Sequence, residues 1–304
     1  MSVQPPLPYF DFLLALLAQD NRSIEKSFGR HVHWGYWPEP AAAVCDDDDY
    51  AAAAERLTLE LSDAAGVAAH DRVLDAGCGF GGTLASLNER HTGLDLTGLN
   101  LDGRQLDRAR GLVVPRSGNR VELCQGDACA LPFADRSFDR VLAVECVFHF
   151  PSRERFFQEA FRVLRPGGTL ALSDFVPALL FLPVARAATE SPRLAQFQYF
   201  GRCNLQYTIG RYRRMAAQAG FVPLVERNVT RNTLPTYRYL QNLLGQAAAI
   251  EGITEKVAVV AGLLKLIGTF RLLNYYLLAY SRPADASSRP KPELSWSQGW
   301  NDGR

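Results

Sequence analysis

The sequence predicts an α/β fold: a doubly wound, mostly parallel sheet of seven strands with helices on both faces, an N-terminal helical segment and an inserted helical lid. Three observations support it. Residues 73–83, Val-Leu-Asp-Ala-Gly-Cys-Gly-Phe-Gly-Gly-Thr, run from a short apolar strand into a glycine-dense turn and then a helix. Strand and helix patterns then alternate, the arrangement that builds a parallel sheet covered on both faces. After residue 175 the alternation stops, and it resumes near residue 221.

Taken in order, Tyr9 to Ala18 is apolar and reads as a capping helix. No basic residues precede it and it has no small-residue cleavage site, so it lacks the form of a signal peptide. Ala51 to Ala65, closed by Gly66, reads as the helix leading into the sheet. The four aspartates ahead of it, Asp46 to Asp49, suit a helix N-terminus. A metal site is the sharper alternative, against which acidic runs at such positions are usually solvated. Gly93 to Asn100 reads as the second strand, Gly103 to Arg110 as a helix and Arg120 to Gln125 as the third strand. Phe138 to Glu145 is a strongly apolar fourth strand. Arg153 to Leu164 follows as a helix with Phe156, Phe157, Ala160, Phe161 and Leu164 on one face. Arg165-Pro166-Gly167-Gly168 stops that helix and turns into a fifth strand, Thr169 to Asp174. The stretch 175–218 carries Pro177, Pro183 and Pro192 with Phe181, Phe197, Tyr199, Phe200, Tyr207 and Tyr212, which predicts a lid over an apolar, aromatic-lined pocket. Phe221 to Val229 is a strand, two helices follow, and Leu272 to Tyr280 closes the sheet. The organisation is therefore a helical cap over 1–66, a core over 67–281 with the lid inserted at 175–218, and a loose tail over 282–304, rich in Pro, Ser and charge.

Composition narrows the function classes. A net charge of +1 gives no reason to expect nucleic acid or an anionic membrane as the main partner. The run from Val257 to Tyr280 is apolar but interrupted by Lys265, Arg271 and Asn274, so a buried helix followed by a strand is expected rather than a membrane span. None of the six cysteines forms a Cys-x-x-Cys pair, which leaves no zinc-type spacing. Cys78 in the loop and Cys124 at a strand end suggest reduced thiols and a cytoplasmic protein.

The glycine loop carries the chemistry. Gly77, Gly79, Gly81 and Gly82 let the backbone turn and approach a ligand closely. Asp75 lies at the carboxyl end of the strand, where open α/β sheets bind ligands. A glycine loop alone is shared by dinucleotide, phosphate and adenosyl-sulfonium sites. A carboxylate just before the glycines suits an ammonium group and repels a pyrophosphate. No Gly-Lys-Ser or Gly-Lys-Thr follows, which removes the P-loop reading.

Asp75-x-Gly77-x-Gly79-x-Gly81 resembles the first motif of the class I S-adenosylmethionine-dependent methyltransferases, whose sheet is Rossmann-like. Other segments point the same way. His31-Val32-His33-Trp34-Gly35-Tyr36-Trp37 resembles an element upstream of the core in tocopherol and sterol methyltransferases. Gly98-Leu99-Asn100-Leu101 with Gln105 is similar to the second-strand element of those families and of the cyclopropane fatty acid synthases. Gly126-Asp127-Ala128, with Leu131-Pro132-Phe133 and Ser137-Phe138-Asp139, resembles their adenine-binding segment. Leu164-Arg165-Pro166-Gly167-Gly168 matches the turn before strand five, and Asn232-Thr233-Leu234-Pro235-Thr236-Tyr237 resembles a segment of natural-product members. The resemblance covers residues 25–175 well and the rest loosely.

The resemblance implies S-adenosylmethionine as cofactor. It places Gly77 and Gly79 against the methionine portion, Asp75 in support of the loop, Asn100 and Gln105 at the ribose, and Leu101 on the adenine. Asp127 and Ala128 would bind the adenine edge, Tyr36 would reach the methionine carboxylate, and Glu145 would border the cofactor. Asn100 departs from the acid usual at its position, although an amide still donates and accepts. The bland alternatives are a turn cap for Asp127, core packing for Tyr36, Trp34 and Trp37, and a solvent-facing Gln105. Asp95, mid-strand, competes less well for the ribose.

The candidate catalytic residues are His149 and Glu145, in Glu145-Cys146-Val147-Phe148-His149-Phe150-Pro151 after the fourth strand. An imidazole at the crevice mouth suits general-base work near neutral pH. Sugar and polyketide O-methyltransferases of similar sequence carry a histidine here, and so do sterol C-methyltransferases, so His149 as base and His149 as a structural or cofactor contact both stand. Glu145 would steady His149, stabilise a carbocation, or make a structural hydrogen bond.

The leading function is methylation of a small, apolar metabolite, such as a natural product, polyketide or glycoside, at a hydroxyl. The alternative is C-methylation of a prenyl, sterol-like or quinone-like acceptor. A prenyl diphosphate would call on lid arginines among Arg186, Arg193, Arg202, Arg211, Arg213 and Arg214. A nicotinamide oxidoreductase lacks its ribose acid and hydride-transfer residues here, and a non-catalytic binder of S-adenosylmethionine would show binding without turnover. The expected partner is a hydrophobic small molecule, with no nucleic acid, no metal and no stable membrane insertion; a homo-oligomer is left open.

Overall fold

The computed structural model describes residues 7–190, 203–246 and 254–284. The chain opens with helices α1 (Pro8–Leu17), α2 (Arg22–Phe28) and α3 (Asp47–Ala65). The aspartates ahead of α3 take the bland role and add tertiary ties. Asp46 caps the helix by accepting from the Asp49 N–H at 2.9 Å, and Asp49 accepts from Cys45 N and Trp37 Nε1. No cluster able to hold a metal occurs among the described residues. Gly66 ends α3 with φ +66°, a left-handed cap that glycine adopts without strain.

The sheet then forms by alternation: β1 (Arg72–Ala76), α4 (Gly82–Arg90), β2 (Asp95–Asn100), α5 (Gly103–Leu112), β3 (Arg120–Gln125), β4 (Phe138–Val144), α6 (Arg153–Val163) and β5 (Leu164–Pro177). After α7 (Leu182–Glu190) come α8 (Ile209–Ala219), β6 (Val222–Asn228), the single turn α9 (Thr230–Thr233), α10 (Pro235–Gln246), α11 (Thr254–Thr269) and β7 (Leu273–Ser281). The seven strands lie in the order β3-β2-β1-β4-β5-β7-β6. The first five are parallel and β7 runs antiparallel to both neighbours. The direction of winding reverses between β1 and β4, the switch point at which such sheets bind ligands.

Alternation along the strands divides the core. Leu74, Ala76, Val141, Ala143, Leu170 and Leu172 face α6 and α8, meeting Phe156, Phe157, Tyr212 and Met215. Val73, Leu142, Val144, Ala171 and Leu277 face Leu57 and Leu61 of α3 and Leu84 and Leu87 of α4. A third cluster joins α1 and α2 to α10 through Leu13, Leu16, Ile24, Phe28 and Tyr239. Helix α3 thus packs on the sheet and also meets α2, through Tyr50 on Phe28, while α1 and α2 lie against α10.

Several sequence expectations are corrected here. The fifth strand is longer than expected, because Arg165–Gly168 form a bulge within β5: pairing steps from Phe138↔Leu164 to Arg140↔Thr169, and Gly167 takes φ +83°. Toward its C-terminal end helix α11 is not wholly buried: Leu263 and Leu266, with Phe270 just beyond, are exposed, while Gly268 is covered. No helix among the described residues is long and apolar enough to cross a membrane. In the lid stretch, Tyr207 and Tyr212 enter the α6 core instead of lining a pocket. Pro192, Arg193, Phe197, Tyr199, Phe200 and Arg202, and the tail from 285 onward, lie outside the described residues.

Candidate active site

The glycine loop closes β1 at the switch point. The N–H groups of Gly77 and Cys78 both donate to the Leu99 carbonyl, at 2.7 and 3.0 Å, which pins the loop to the end of β2. A Cβ on Gly77 would lie 2.8 Å from Cys146 Cβ and Sγ; on Gly79 it would meet nothing nearer than Gln105 Oε1 at 4.0 Å. Both take positive φ, +90° and +53°. Gly77 is therefore required by the chain after β4, while Gly79 presents bare backbone to open space. Asp75 is 1% exposed, and neither carboxylate oxygen has a hydrogen-bond partner among the described residues. Burial pushes its carboxyl up to about 7.

Around the loop, the side chains of Asn100 and Gln105 meet, Asn100 Nδ2 donating to Gln105 Oε1 at 2.7 Å. Gln105 is buried, which rules against the solvent-facing reading. Leu101 is half-buried beside them, and its N–H donates to Asn100 Oδ1. Asp127 Oδ1 accepts from the Cys129 N–H at 2.8 Å, so this aspartate does shape its turn; Ala128 next to it is buried. Asp95 opens β2 at the far end of the sheet and faces Arg72 and Arg120.

The structure sets Tyr36 beside β6. Its ring lies beneath the Arg227 guanidinium at 5.8 Å, and Arg227 belongs to the edge strand β6. The reason is the anchoring of its neighbours: Trp37 N donates to the Asn232 carbonyl, Gly35 N to Thr236 Oγ1, and Tyr36 N to the Ala53 carbonyl. The Asn232–Tyr237 segment thus clamps the His31–Trp37 segment across the α3 face. His31 and His33 form a buried chain with Glu55 and Thr58, at 2.8 Å from His31 Nε2 to Glu55 and 3.1 Å from His33 Nε2 to Thr58. Burial, then the nearness of His31, drives His33 down to about 3, and burial lowers His31 as well, so both imidazoles are neutral at neutral pH.

At the end of β4 the backbone turns sharply. Glu145 takes φ +48°, which costs on the order of 1 kcal/mol for a side chain of this kind. Its N–H donates to Ser173 Oγ, and its Oε2 accepts from the Trp34 N–H at 2.9 Å and the Tyr275 hydroxyl at 2.6 Å. Burial pushes Glu145 up to about 8, although both hydrogen bonds pull the other way. The single helical turn Val147–His149 follows. There the Tyr9 hydroxyl lies 3.4 Å from His149 Nε2, the two rings nearly parallel at 6.1 Å and 20°.

Sequence reasoning missed Tyr9, Tyr275 and the buried cation Arg153. Arg153 is 1% exposed and pairs at 2.8 Å with Asp174, which is 0% exposed. Its Nη1 donates to the Asn204 carbonyl, its guanidinium covers the Tyr207 ring at 4.2 Å, and the Tyr212 hydroxyl donates to Asp174. The acid ending an apolar strand was a visible signal for Asp174; nothing local marked Arg153. Two lid arginines are already paired, Arg211 with Glu154 and Arg213 with Glu226.

A family model described as a methyltransferase domain matches residues 74–172. Methyltransferase GfsG from Streptomyces halstedii is 37% identical over 224 residues, 72% of this chain and 75% of that protein. The 27-O-demethylrifamycin SV methyltransferase of Amycolatopsis mediterranei is 31% identical over 219 residues, 70% of this chain and 75% of its own length. The geranyl diphosphate C-methyltransferase of Streptomyces coelicolor A3(2), solved with S-adenosyl-L-homocysteine, shares the fold with a TM-score of 0.66 at 22% identity, covering 91% of this chain and 99% of that one. The loop at the switch point and these matches lead to one conclusion: the chain belongs to the class I S-adenosylmethionine-dependent methyltransferases.

Proposed function

We propose that the chain methylates a hydroxyl of a small, apolar natural product, with His149 taking the hydroxyl proton at Nε2. The observation that carries this reading is the position of His149, one turn beyond β4 at the switch point and held against the Tyr9 phenol. One relative is named for the acceptor 27-O-demethylrifamycin SV, whose missing methyl is on oxygen. When bound, S-adenosylmethionine supplies an electrophilic methyl group on a positively charged sulfur.

The loop residues fit that cofactor. Asp75 offers a buried, unbonded carboxylate to an ammonium group, and the bare face of Gly79 leaves a hollow that a side chain would fill. Asn100 and Gln105 would offer their amides to the ribose, and Leu101, Asp127 and Ala128 would hold the adenine. In the free protein an unpaired Asp75 opposes folding as its proton is lost. Because its folded-state pKa is raised, this cost is absent below the unfolded value near 4 and complete above about 7, on the order of a few kcal/mol. Asp75→Asn is therefore expected to melt above the parent at pH 8 without cofactor, with the gap closing as pH falls toward 4, while binding S-adenosylmethionine at least tenfold more weakly. Calorimetric melting and titration check both halves; unchanged cofactor affinity would remove Asp75 from the site.

A second reading, methylation at carbon, is favoured by the aromatic faces of Trp34, Phe175 and Tyr275 around the buried Glu145, surfaces able to stabilise a cation. The deciding experiment is transfer from methyl-labelled cofactor to a panel of phenolic, polyketide and prenyl acceptors. Product fragmentation is expected to place the label on oxygen; a label on carbon would overturn the reading and move Glu145 to the centre.

A further inference from the structure

Helix α1 is wedged into the mouth of the site by three consecutive side chains. Successive residues of a helix project about 100° apart. Here Tyr9 meets His149, Phe10 packs edge-on against Phe80 of the glycine loop at 5.6 Å, and Asp11 pairs with Arg104 of α5 at 2.9 Å. Contacts in three such directions hold α1 in rotation and in height, so the Tyr9 hydroxyl is delivered to one place. Resting on the reading of His149 as the base, we infer that Tyr9 is a positioning residue for it: the phenol donates to Nε2, selects the tautomer with its proton on Nδ1, and keeps the ring unprotonated in the free enzyme.

The surroundings suit a donor. Burial raises the Tyr9 phenol well above its ordinary value, with Cys203, Glu145 and Cys146 adding to the effect, so the hydroxyl keeps its proton throughout the working range. The groups that act on the phenol are Glu145 and Cys146 at the end of β4 and Cys203 in the segment before α8. Phe148, apolar, lies tilted at 56° against His149 with ring centroids 4.3 Å apart. A hydrogen bond to the neutral imidazole favours that form over the imidazolium. The phenol therefore maintains the fraction of enzyme that is competent to accept a proton at slightly acid pH, until the acceptor hydroxyl replaces it at Nε2.

The test is Tyr9→Phe, which keeps the ring and the α1 packing and removes only the hydroxyl. The acid limb of kcat/KM, which reports the free enzyme, is expected to move up by about 0.5–1 pH unit, the worth of one neutral hydrogen bond. The His149 ring, followed by NMR in the free protein and assigned with His149→Gln, is expected to titrate higher by the same amount. Asp11→Asn removes one of the three contacts that place α1, so it is expected to move the His149 titration in the same direction as Tyr9→Phe and by a smaller amount. An unchanged His149 titration in Tyr9→Phe would overturn the inference. If the titration moves but His149→Gln keeps full turnover, the Tyr9–His149 link stands and the reading of His149 as base falls.

Discussion

His149→Gln is expected to lower kcat on a hydroxyl acceptor by about 10²–10³-fold while leaving cofactor affinity within a factor of two or three. Glutamine keeps the size and hydrogen-bonding reach of the imidazole and removes its basicity. The variant therefore separates proton acceptance from contact. Positioning by the loop and exclusion of water are untouched, so residual activity is expected, and it should rise with pH as a phenolic acceptor ionises by itself. Single-turnover rates with pre-bound cofactor are the direct measurement. A variant that binds normally and turns over at the parental rate would show that His149 only lines the crevice.

Arg153→Leu is expected to destabilise the protein by about 3–5 kcal/mol, because it leaves Asp174 buried without its cation. For a chain of this size that corresponds to a fall in melting temperature of roughly 5–8 °C. Removing the charge as well, in Arg153→Leu/Asp174→Asn, should recover a large part of the loss, since the main penalty is the uncompensated carboxylate and not the missing pair. The double variant is still expected to lose activity. Arg153 also holds the Asn204 carbonyl, and Asn204 N donates to the Phe148 carbonyl beside His149. A double variant no more stable than Arg153→Leu would mean that packing against Tyr207, and not charge, sets the cost.

The succession of strands and helices along the chain and the glycine loop were open to sequence reading because their causes are local. A strand ending in Asp75-x-Gly77-x-Gly79 needs glycine for its dihedral angles whatever surrounds it, and the alternation that follows admits few topologies. Arg120–Gln125 falls on β3 with both ends as expected, and the Asn100–Gln105 pair follows from a strand end and the first turn of the next helix. The placing of Tyr36 has the opposite kind of cause. Tyr36 lies five residues from His31 in sequence, yet its direction is set by Asn232 and Thr236, some two hundred positions away.

What the sequence by itself determined is the fold class, the cofactor loop and the place of His149 at the end of a strand. Each rests on backbone geometry and hydrophobic period within a dozen residues. Only the tertiary structure decided the company these groups keep. Glu145 is held by Tyr275 from an antiparallel strand, Arg153 is sealed against Asp174, and Tyr9 arrives at His149 from a helix 140 residues earlier. Such pairings come from the packing of distant elements. A buried charge or phenol finds its partner in space, and no local pattern in the chain records that choice.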